Sequence, residues 1–586
     1  MKRWLYRPYD AALAERLARE SRIPELLAVL LAQRQITDTE AAARFLNPSL
    51  SQLHDPFRML GMREAIERLR GAIANQERIL IYGDYDVDGT TAVVVLRTAI
   101  ELAGGSSGFH VPHRLREGYG MREDVIERAA RDKVTLLISV DNGIRESAVV
   151  ERAKELGIDS IITDHHLPEQ AVPRAFAVLN PNQPGCDYPD KNLCGAGIAF
   201  KVAQALLSGE DWPPARRNRV LESLLKIVAI GTIADMVPLA GENRIFAQVG
   251  LAGLRRPRNP GLKALIEVAR LNGPIGADDV AFRLAPRLNA AGRMDQARAV
   301  IDLFAAPDEP RAASLARRLD QFNSDRQRTE ENIVNEVLEA LARIPPPADT
   351  PMIVVEGEGW HAGVIGIVAS RVIERYHRPT LVLSCDSETG MATGSGRGIP
   401  GFHLLESLES VRELFTRLGG HRQAAGCTLP VEKIPELRRR LCEHAGRVLA
   451  PDDFVPVLTL DSELALAQIG DELMEQLARL APCGLGNPAP RFSASAVRLA
   501  TAPQIIKEKH LKLRIRQDNA AFAAMGWRMA ERQDGLSLGT ALDAAFSIEP
   551  DTYRGGWQLI LRDFRVSDSQ QSAELASAVS ADDRPS

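Results

Sequence analysis

Ile79-Leu80-Ile81-Tyr82-Gly83-Asp84-Tyr85-Asp86-Val87-Asp88-Gly89 is the stretch that decides how this chain reads. Four apolar residues of strand character run into a glycine and then into three carboxylates spaced two apart. The same event recurs twice. Leu136-Leu137-Ile138-Ser139-Val140 runs into Asp141-Asn142-Gly143, and Ser160-Ile161-Ile162-Thr163 runs into Asp164-His165-His166. Helix-like sequence follows the first two. In an open parallel α/β sheet, chemistry collects beyond the carboxyl ends of the strands. The three turns are therefore expected to converge on one pocket of up to five carboxylates and two imidazoles. Such a cluster repels itself unless cations neutralise it, so the feature reads as a metal site.

Other readings of these motifs are weaker. Asp84-x-Asp86-x-Asp88-Gly89 looks at first like a calcium loop of the EF-hand kind, but the position that should carry glutamate is Val95, and a strand precedes it instead of a helix. Asp141-Asn142-Gly143 alone would be an ordinary turn. Adjacent histidines after Asp164 offer nitrogen ligands beside a carboxylate that can orient them. No cysteine is near these turns in sequence, so mixed oxygen and nitrogen ligation points to manganese or magnesium rather than structural zinc. A further acid, Asp235, ends the apolar run Ile227-Val228-Ala229-Ile230-Gly231-Thr232-Ile233-Ala234. An unpaired carboxylate there would be costly, and a metal would supply its partner.

The chain's 586 residues exceed one hydrophobic core and imply three or four domains. Residues 1–75 read as a helical cap, with Thr37-Asp38-Thr39-Glu40 opening a helix that Asn47-Pro48 closes. Residues 76–310 alternate strand and helix patterns, as a parallel α/β domain does. A single long helix is expected over 311–345, closed by Pro345-Pro346-Pro347; its arginines 311, 317, 318, 326 and 328 read as a solvated face in preference to the lining of a cleft. A second, smaller α/β unit spans 346–450, a small β barrel 451–566, and a disordered Ser/Ala/Asp-rich tail 567–586.

Net charge is −5, from 72 Lys and Arg against 77 Asp and Glu, which excludes a general polycation but allows local basic surfaces. Aromatic residues make up 5% of the chain, so any nucleic-acid contact should lean on phosphates rather than on many stacked bases. Six cysteines without a CxxC pair, no apolar run long enough for a membrane helix and no signal-like start point to a reducing cytoplasm and no membrane.

Two glycine-rich motifs in the second half carry cations: Gly394-Ser395-Gly396-Arg397-Gly398 and Gly419-Gly420-His421-Arg422. Glycines let backbone N–H groups approach an anion, and arginine offers a planar fork to phosphate oxygens. Arg287, in Ala285-Pro286-Arg287-Leu288-Asn289, is a candidate for the same wall. In the barrel, His510, Lys512, Arg514 and Arg516 alternate with Leu511, Leu513 and Ile515, which places the basic residues on one strand face and the aliphatics in the core.

Taken together these motifs resemble the DHH phosphoesterase superfamily, and within it the bacterial single-strand-specific exonucleases. The resemblance covers about residues 1–566 and rests on GDYDVDGTT, REGYGM at Arg116–Met121, SVDNG, TDHH, LCGAGIAF, GTIADMVPL, APRLNAAGRM, GWHAGVIGIVASR, GSGRGIPGFHL and GGHRQAAG. It implies a parallel-sheet DHH domain joined by the long helix to a smaller α/β DHHA1 domain, followed by an OB-like barrel that guides the strand. It also implies two Mn²⁺ or Mg²⁺ ions held by Asp84, Asp86, Asp88, Asp141, His165 and Asp235, with Asp164 and His166 contacting the scissile phosphate or orienting ligands. Which two of Asp84, Asp86 and Asp88 touch metal stays open. Ser395 and Arg397, with Arg287, resemble the pocket for a 5′-phosphate end, and His421 a further substrate contact. The implied activity is stepwise 5′→3′ release of 5′ mononucleotides from single-stranded DNA in repair and recombination. Implied partners are a single-stranded-DNA-binding protein and a helicase, with the chain a monomer. Two rival readings remain: a related phosphoesterase for short oligonucleotides or phosphorylated nucleosides, and a non-catalytic single-strand-binding scaffold.

Overall fold

The computed structural model describes residues 2–114, 117–118, 120–169, 171–209, 211–294, 297–343, 350–551 and 555–567. The prolines expected to close the long helix, Arg116 and Tyr119 of the Arg116–Met121 motif, and the tail beyond Ser567 lie outside the described residues. The chain forms two compact units. One comprises Pro48–Phe454 with Gly484–Gly486; the other joins the segment ending at Asn47 to Val455–Cys483 and the chain from Asn487 on.

The first unit is built on a five-stranded sheet in which every neighbouring pair is parallel. Its order is Ser107–His110, Ile79–Tyr82, Leu136–Val140, Asp159–Thr163, Ala177–Leu179. The sequence runs of strand length are buried on both faces. Leu136, Ile138 and Val140 join one core with Val93, Leu96, Ile198 and Phe200, while Leu137 packs with Val125, Val149 and Ile162 on the other side. Chain direction across the sheet reverses between Ile79–Tyr82 and Leu136–Val140, and such a switch point opens a crevice at the strand ends.

The long helix is Glu309–Arg343. Its first half buries Ala312, Leu315, Ala316 and Leu319 in the core beside the parallel sheet, and its second half buries Ile333, Val337 and Leu341 against Ile365, Val368 and Val372. A helix tied to two cores is not a solvated strut. Arg326 in its middle is accordingly buried, bonded to Glu330 at 2.7 Å and Asn323 at 3.1 Å, which corrects the expected solvated basic face at that residue. Beyond it a mixed five-stranded sheet runs Arg417–His421, Ala424–Pro430, Met391–Arg397, Thr380–Asp386, Ile353–Glu358.

In the second unit, Phe492–Leu499, Ala541–Pro550, Trp557–Val566, Ala520–Gly526 and His510–Gln517 form a closed five-stranded barrel, the Arg498–Arg516 pairing shutting the ring. The expected cap over 1–75 divides in two. Arg3–Tyr6 pairs with Val457–Leu460, Gln33 donates to the Asp461 carbonyl at 2.7 Å, and Leu27, Leu30 and Leu31 bury against Leu480, so residues up to Asn47 belong with the barrel. Met62–Ala74 instead packs on the parallel sheet. Partners more than 400 residues apart leave no local trace in sequence.

A buried ionic knot fixes the Gly195–Leu206 helix. Lys201 and Glu242 pair at 2.9 Å, Lys201 also donates to the His54 carbonyl, and the Tyr188 hydroxyl donates to Glu242. All three side chains are almost solvent-free. Replacing Glu242 by Ala strands a buried ammonium and is expected to cost about 3–5 kcal/mol in a urea titration. Glu443→Ala, which opens the exposed Arg439 pair, is expected to stay within about 0.5 kcal/mol of wild type.

Candidate metal centre

Asp84 follows the Ile79–Tyr82 strand, Asp141 the Leu136–Val140 strand and Asp164 the Asp159–Thr163 strand, so the three turns meet where the sheet switches direction. Asp141 adopts φ +63°, a left-handed conformation that a non-glycine residue takes only when its surroundings enforce it. Part of that enforcement is Gly195: a Cβ there would stand 2.5 Å from Cβ of Asp141, so only glycine lets the helix start approach so closely.

Three overlapping groups have donor atoms within 4.8 Å of one another: Asp84, Asp86 and Asp141; Asp88, His165 and Asp235; Asp141, His165 and His166. His165 Nε2 lies 3.1 Å from Asp141 Oδ1, 3.8 Å from Asp235 Oδ2 and 4.0 Å from Asp88 Oδ2. Oδ1 of Asp84 and Oδ2 of Asp235 are buried and accept no hydrogen bond. Asp86 caps its own helix by accepting from Gly89 N at 3.0 Å, and Asp88 accepts from Gly195 N at 2.5 Å and Ala196 N at 2.9 Å. A carboxylate has about four lone-pair sites, so these bonds leave capacity for a cation. Orphaned buried oxygens with imidazole in a carboxylate-rich set match hard divalent cations such as Mn²⁺ or Mg²⁺.

One cysteine does come close. Cys194 caps the Gly195–Leu206 helix, but its Sγ is engaged by Gly197 N at 3.4 Å and Thr232 Oγ1 at 3.5 Å. Burial pushes its thiol well above the usual range, so it is a neutral cap rather than a thiolate ligand.

Electrostatics divide the carboxylates into two kinds. Burial, reinforced by neighbouring aspartates, raises Asp84, Asp86 and Asp141 and pushes Asp235 up to about 9. Asp164 behaves oppositely. Burial works against its charge, but the His166 hydrogen bond and charge, with the Ile144 N–H, hold it below the ordinary value. His166 Nδ1 sits 2.7 Å from Asp164 Oδ1, while the N–H groups of His165 and His166 also point at that oxygen and Ile144 N donates to Oδ2. Burial lowers His166, and Asp164 more than compensates, so the imidazole is raised; His165, where burial dominates, is lowered toward the neutral, ligand-competent form.

Beside the carboxylates lies a group of arginines. Burial, together with the charges of Arg114, Arg326 and Arg397, brings Arg293 down to about 10. Arg397 is lowered by burial and by Arg114. Sequence reasoning found Arg397 but missed Arg293, which sits in the same APRLNAAGRM motif as Arg287, and Arg114, which had no signal at all. Arg287 itself is engaged by Asp320 at 2.9 Å and the Arg283 carbonyl at 2.6 Å, so the arginine of this helix whose charge meets Arg397 is Arg293.

The Gly394–Gly398 motif is not a loop cradling an anion with backbone N–H groups. It lies in the Met391–Arg397 strand, where a Cβ on Gly394 would stand 2.6 Å from Cys427 Sγ, so this glycine serves core packing. Period two then brings Ser395 and Arg397 together on the opposite face, where Gly366 leaves room for them. His421 lines a cavity of about 230 Å³ with Gly143, Arg145, Glu146, Asp164 and His166.

In the barrel unit, Leu511, Leu513 and Ile515 are buried while His510 and Lys512 are half-buried and Arg514 and Arg516 exposed. Arg498 pairs opposite Arg516, extending the basic face. Exposed Trp527 packs edge-on to His510 with ring centres 4.8 Å apart.

Comparisons with known proteins agree with this anatomy. Residues 78–232 match the DHH family N-terminal domain, 349–446 the DHHA1 domain and 460–563 the RecJ OB domain. The single-stranded-DNA-specific exonuclease RecJ of Bacillus subtilis is 39% identical over 97% of this chain and 71% of its own length. Its counterpart in Dickeya dadantii is 36% identical over 84% of this chain and 87% of its own. The crystal structure of Thermus thermophilus RecJ in complex with Mn²⁺ superposes with a TM-score of 0.81 at 28% identity, covering 97% of this chain and 80% of that one. With all three domain types present in order along the chain, and the first carrying the strand-end carboxylate cluster, the chain belongs to the RecJ family of DHH exonucleases.

Proposed function

We propose that the chain is a metal-dependent exonuclease that degrades single-stranded DNA from its 5′ end, releasing 5′ mononucleotides. The observation that carries this reading is a cluster of strand-end carboxylates and imidazole in which Oδ1 of Asp84 and Oδ2 of Asp235 are buried without a hydrogen bond, with Arg293 and Arg397 beside it. Asp84, Asp86, Asp88, Asp141, His165 and Asp235 are the residues that would hold two Mn²⁺ or Mg²⁺ ions. Bound there, such cations supply Lewis acidity, polarising a phosphoryl oxygen and acidifying water at neutral pH.

The chain's own groups do the rest. Asp164 orients His166 and keeps it protonated to higher pH, so that it presents positive charge to a phosphate oxygen. Arg397, Arg293 and Ser395 dock the terminal phosphate and so set the register of the cut. Neutral His165 directs Nε2 at the carboxylates. His421 contacts the substrate from across the 230 Å³ cavity. The face of His510, Lys512, Arg514 and Arg516, with Arg498 and Trp527, steers the strand by phosphate contacts and one stacking platform.

We further propose action as a monomer in the cytoplasm, on ends exposed by a helicase or covered by a single-stranded-DNA-binding protein, in repair and recombination. In support, all six cysteines are free, and no helix among the described residues is long and apolar enough to cross a membrane.

A 5′-labelled single-stranded oligonucleotide should release its label as mononucleotide from the first time points in Mn²⁺, and a 3′-labelled one only at the end. Asp141→Ala, or a chelator, should slow this by on the order of 10³-fold, as the loss of several kcal/mol of charge stabilisation requires; fast cleavage by the variant refutes the site. Arg397→Ala should raise KM for 5′-phosphorylated ends by about 10- to 100-fold, from the loss of a charged hydrogen bond, with little change for 5′-hydroxyl ends.

The Asp164–His166 pair also predicts a pH signature. Because the histidine is raised and the aspartate depressed, the pair's stabilisation is present between the two titrations. It is lost as pH rises through His166 or falls through Asp164. In metal-free protein, NMR should find His166 titrating above 6.5 in the wild type and distinctly lower in Asp164→Asn, where only the charge of Asp88 still opposes burial and Arg145. An unshifted histidine would remove the role given to Asp164.

A further inference from the structure

We propose that the outer face of the Pro214–Ala234 helix carries a second polyanion site, one that grips the phosphodiester backbone of nucleic acid away from the metal centre. The site is a groove of about 830 Å³ lined by Arg219, Lys226, Arg255, Arg256 and Arg258, with Glu222 its single acid. Arg219, Glu222, Ser223 and Lys226 recur at helical spacing and so share one face. Arg255, Arg256 and Arg258 follow the Gly241–Leu254 helix, which approaches closely enough that a Cβ on Gly250 would stand 2.3 Å from the Leu225 carbonyl oxygen. A Cβ on Gly253 would stand 2.8 Å from Lys226 Cε, so the lysine stem lies across that glycine on its way to the groove.

Charge balance identifies the ligand. Among the described residues none of the five cations forms an ion pair, whereas other surface arginines, such as Arg439 and Arg440, do. Five unneutralised cations against one acid, on a chain of net charge −5, are a repulsive arrangement that a polyanion relieves. No aromatic residue lines the groove, so it reads phosphates and not bases, and its binding is expected to be indifferent to sequence. At 1.5 Å per residue, Lys226 stands about 14 Å and Arg219 about 24 Å along the helix from Asp235. One rigid helix thus carries a candidate metal ligand at its end and the backbone grip on its flank. The inference goes beyond the exonuclease reading and stands on binding alone.

The test uses the full chain in chelator, with anisotropy of a labelled oligothymidylate across a salt series. Arg255→Glu/Arg256→Glu/Arg258→Glu should weaken binding about tenfold or more at low salt. It should also flatten the slope of log affinity against log salt by about 2, at about 0.7 per lost single-strand phosphate contact. Mn²⁺-dependent turnover of a short 5′-phosphorylated oligonucleotide should be unchanged, which separates this site from the metal centre. If the triple variant loses that turnover too, Arg255→Gln/Arg258→Gln decides, with an expected flattening of about 1.4. Wild-type affinity and slope in a folded variant overturn the proposal. So does selective loss of binding to an Asp/Glu-rich peptide with DNA binding intact, which would make the face a protein-docking surface.

Discussion

Mutual repulsion among buried carboxylates at the strand ends is the constraint to which the rest of the first unit answers. Burial and neighbouring charge each disfavour ionisation of Asp84, Asp86, Asp141 and Asp235. Left to themselves such groups would separate or take up protons. What keeps them together is covalent and cooperative: each is tethered to a strand or helix whose own residues are locked in a solvent-free core. The left-handed backbone at Asp141 is local strain held by that framework. A divalent cation converts the repulsion into attraction, so metal affinity and pocket geometry have one physical origin.

Asp164 shows that burial alone does not dictate this behaviour. It is as deeply buried as Asp141, yet it is surrounded by donors: the N–H groups of Ile144, His165 and His166 and the His166 ring. Two aspartates at equivalent strand ends therefore serve different ends, one demanding a cation and the other ionised without one. Environments that push like groups in opposite directions are how one fold assigns distinct chemical roles.

The parallel sheet and its aspartate turns were legible in sequence because both follow from local periodicity, and strand ends in such sheets meet by rule. The basic barrel strand was legible for the same reason, as Leu511, Leu513 and Ile515 are buried and their neighbours are not. What was hidden depends on distant partners. Nothing near Trp4 announces that Arg3–Tyr6 pairs with Val457–Leu460. Arg293 and Arg287 share a motif, and only the packing of their helix decides that one meets Arg397 while the other meets Asp320. Gly394 was misread because a glycine demanded by a core neighbour and one demanded by an anion look alike in sequence.

Helix direction completes the electrostatic design. Asp88 is met by the amino end of Gly195–Leu206, whose free N–H groups favour negative charge. Asp235 sits at the carboxyl end of Pro214–Ala234, where the helix dipole adds to the negative potential and no donor reaches Oδ2. These two acids belong to one candidate ligand group with His165. The first is oriented by two backbone N–H donors, and the second keeps an oxygen with no hydrogen bond, open to a cation. Without cations the pocket would repel a phosphodiester even with Arg293 and Arg397 beside it. On the proposed reading, cation binding therefore precedes productive engagement of a strand end, and the arginines then act on a phosphate that the carboxylates no longer exclude.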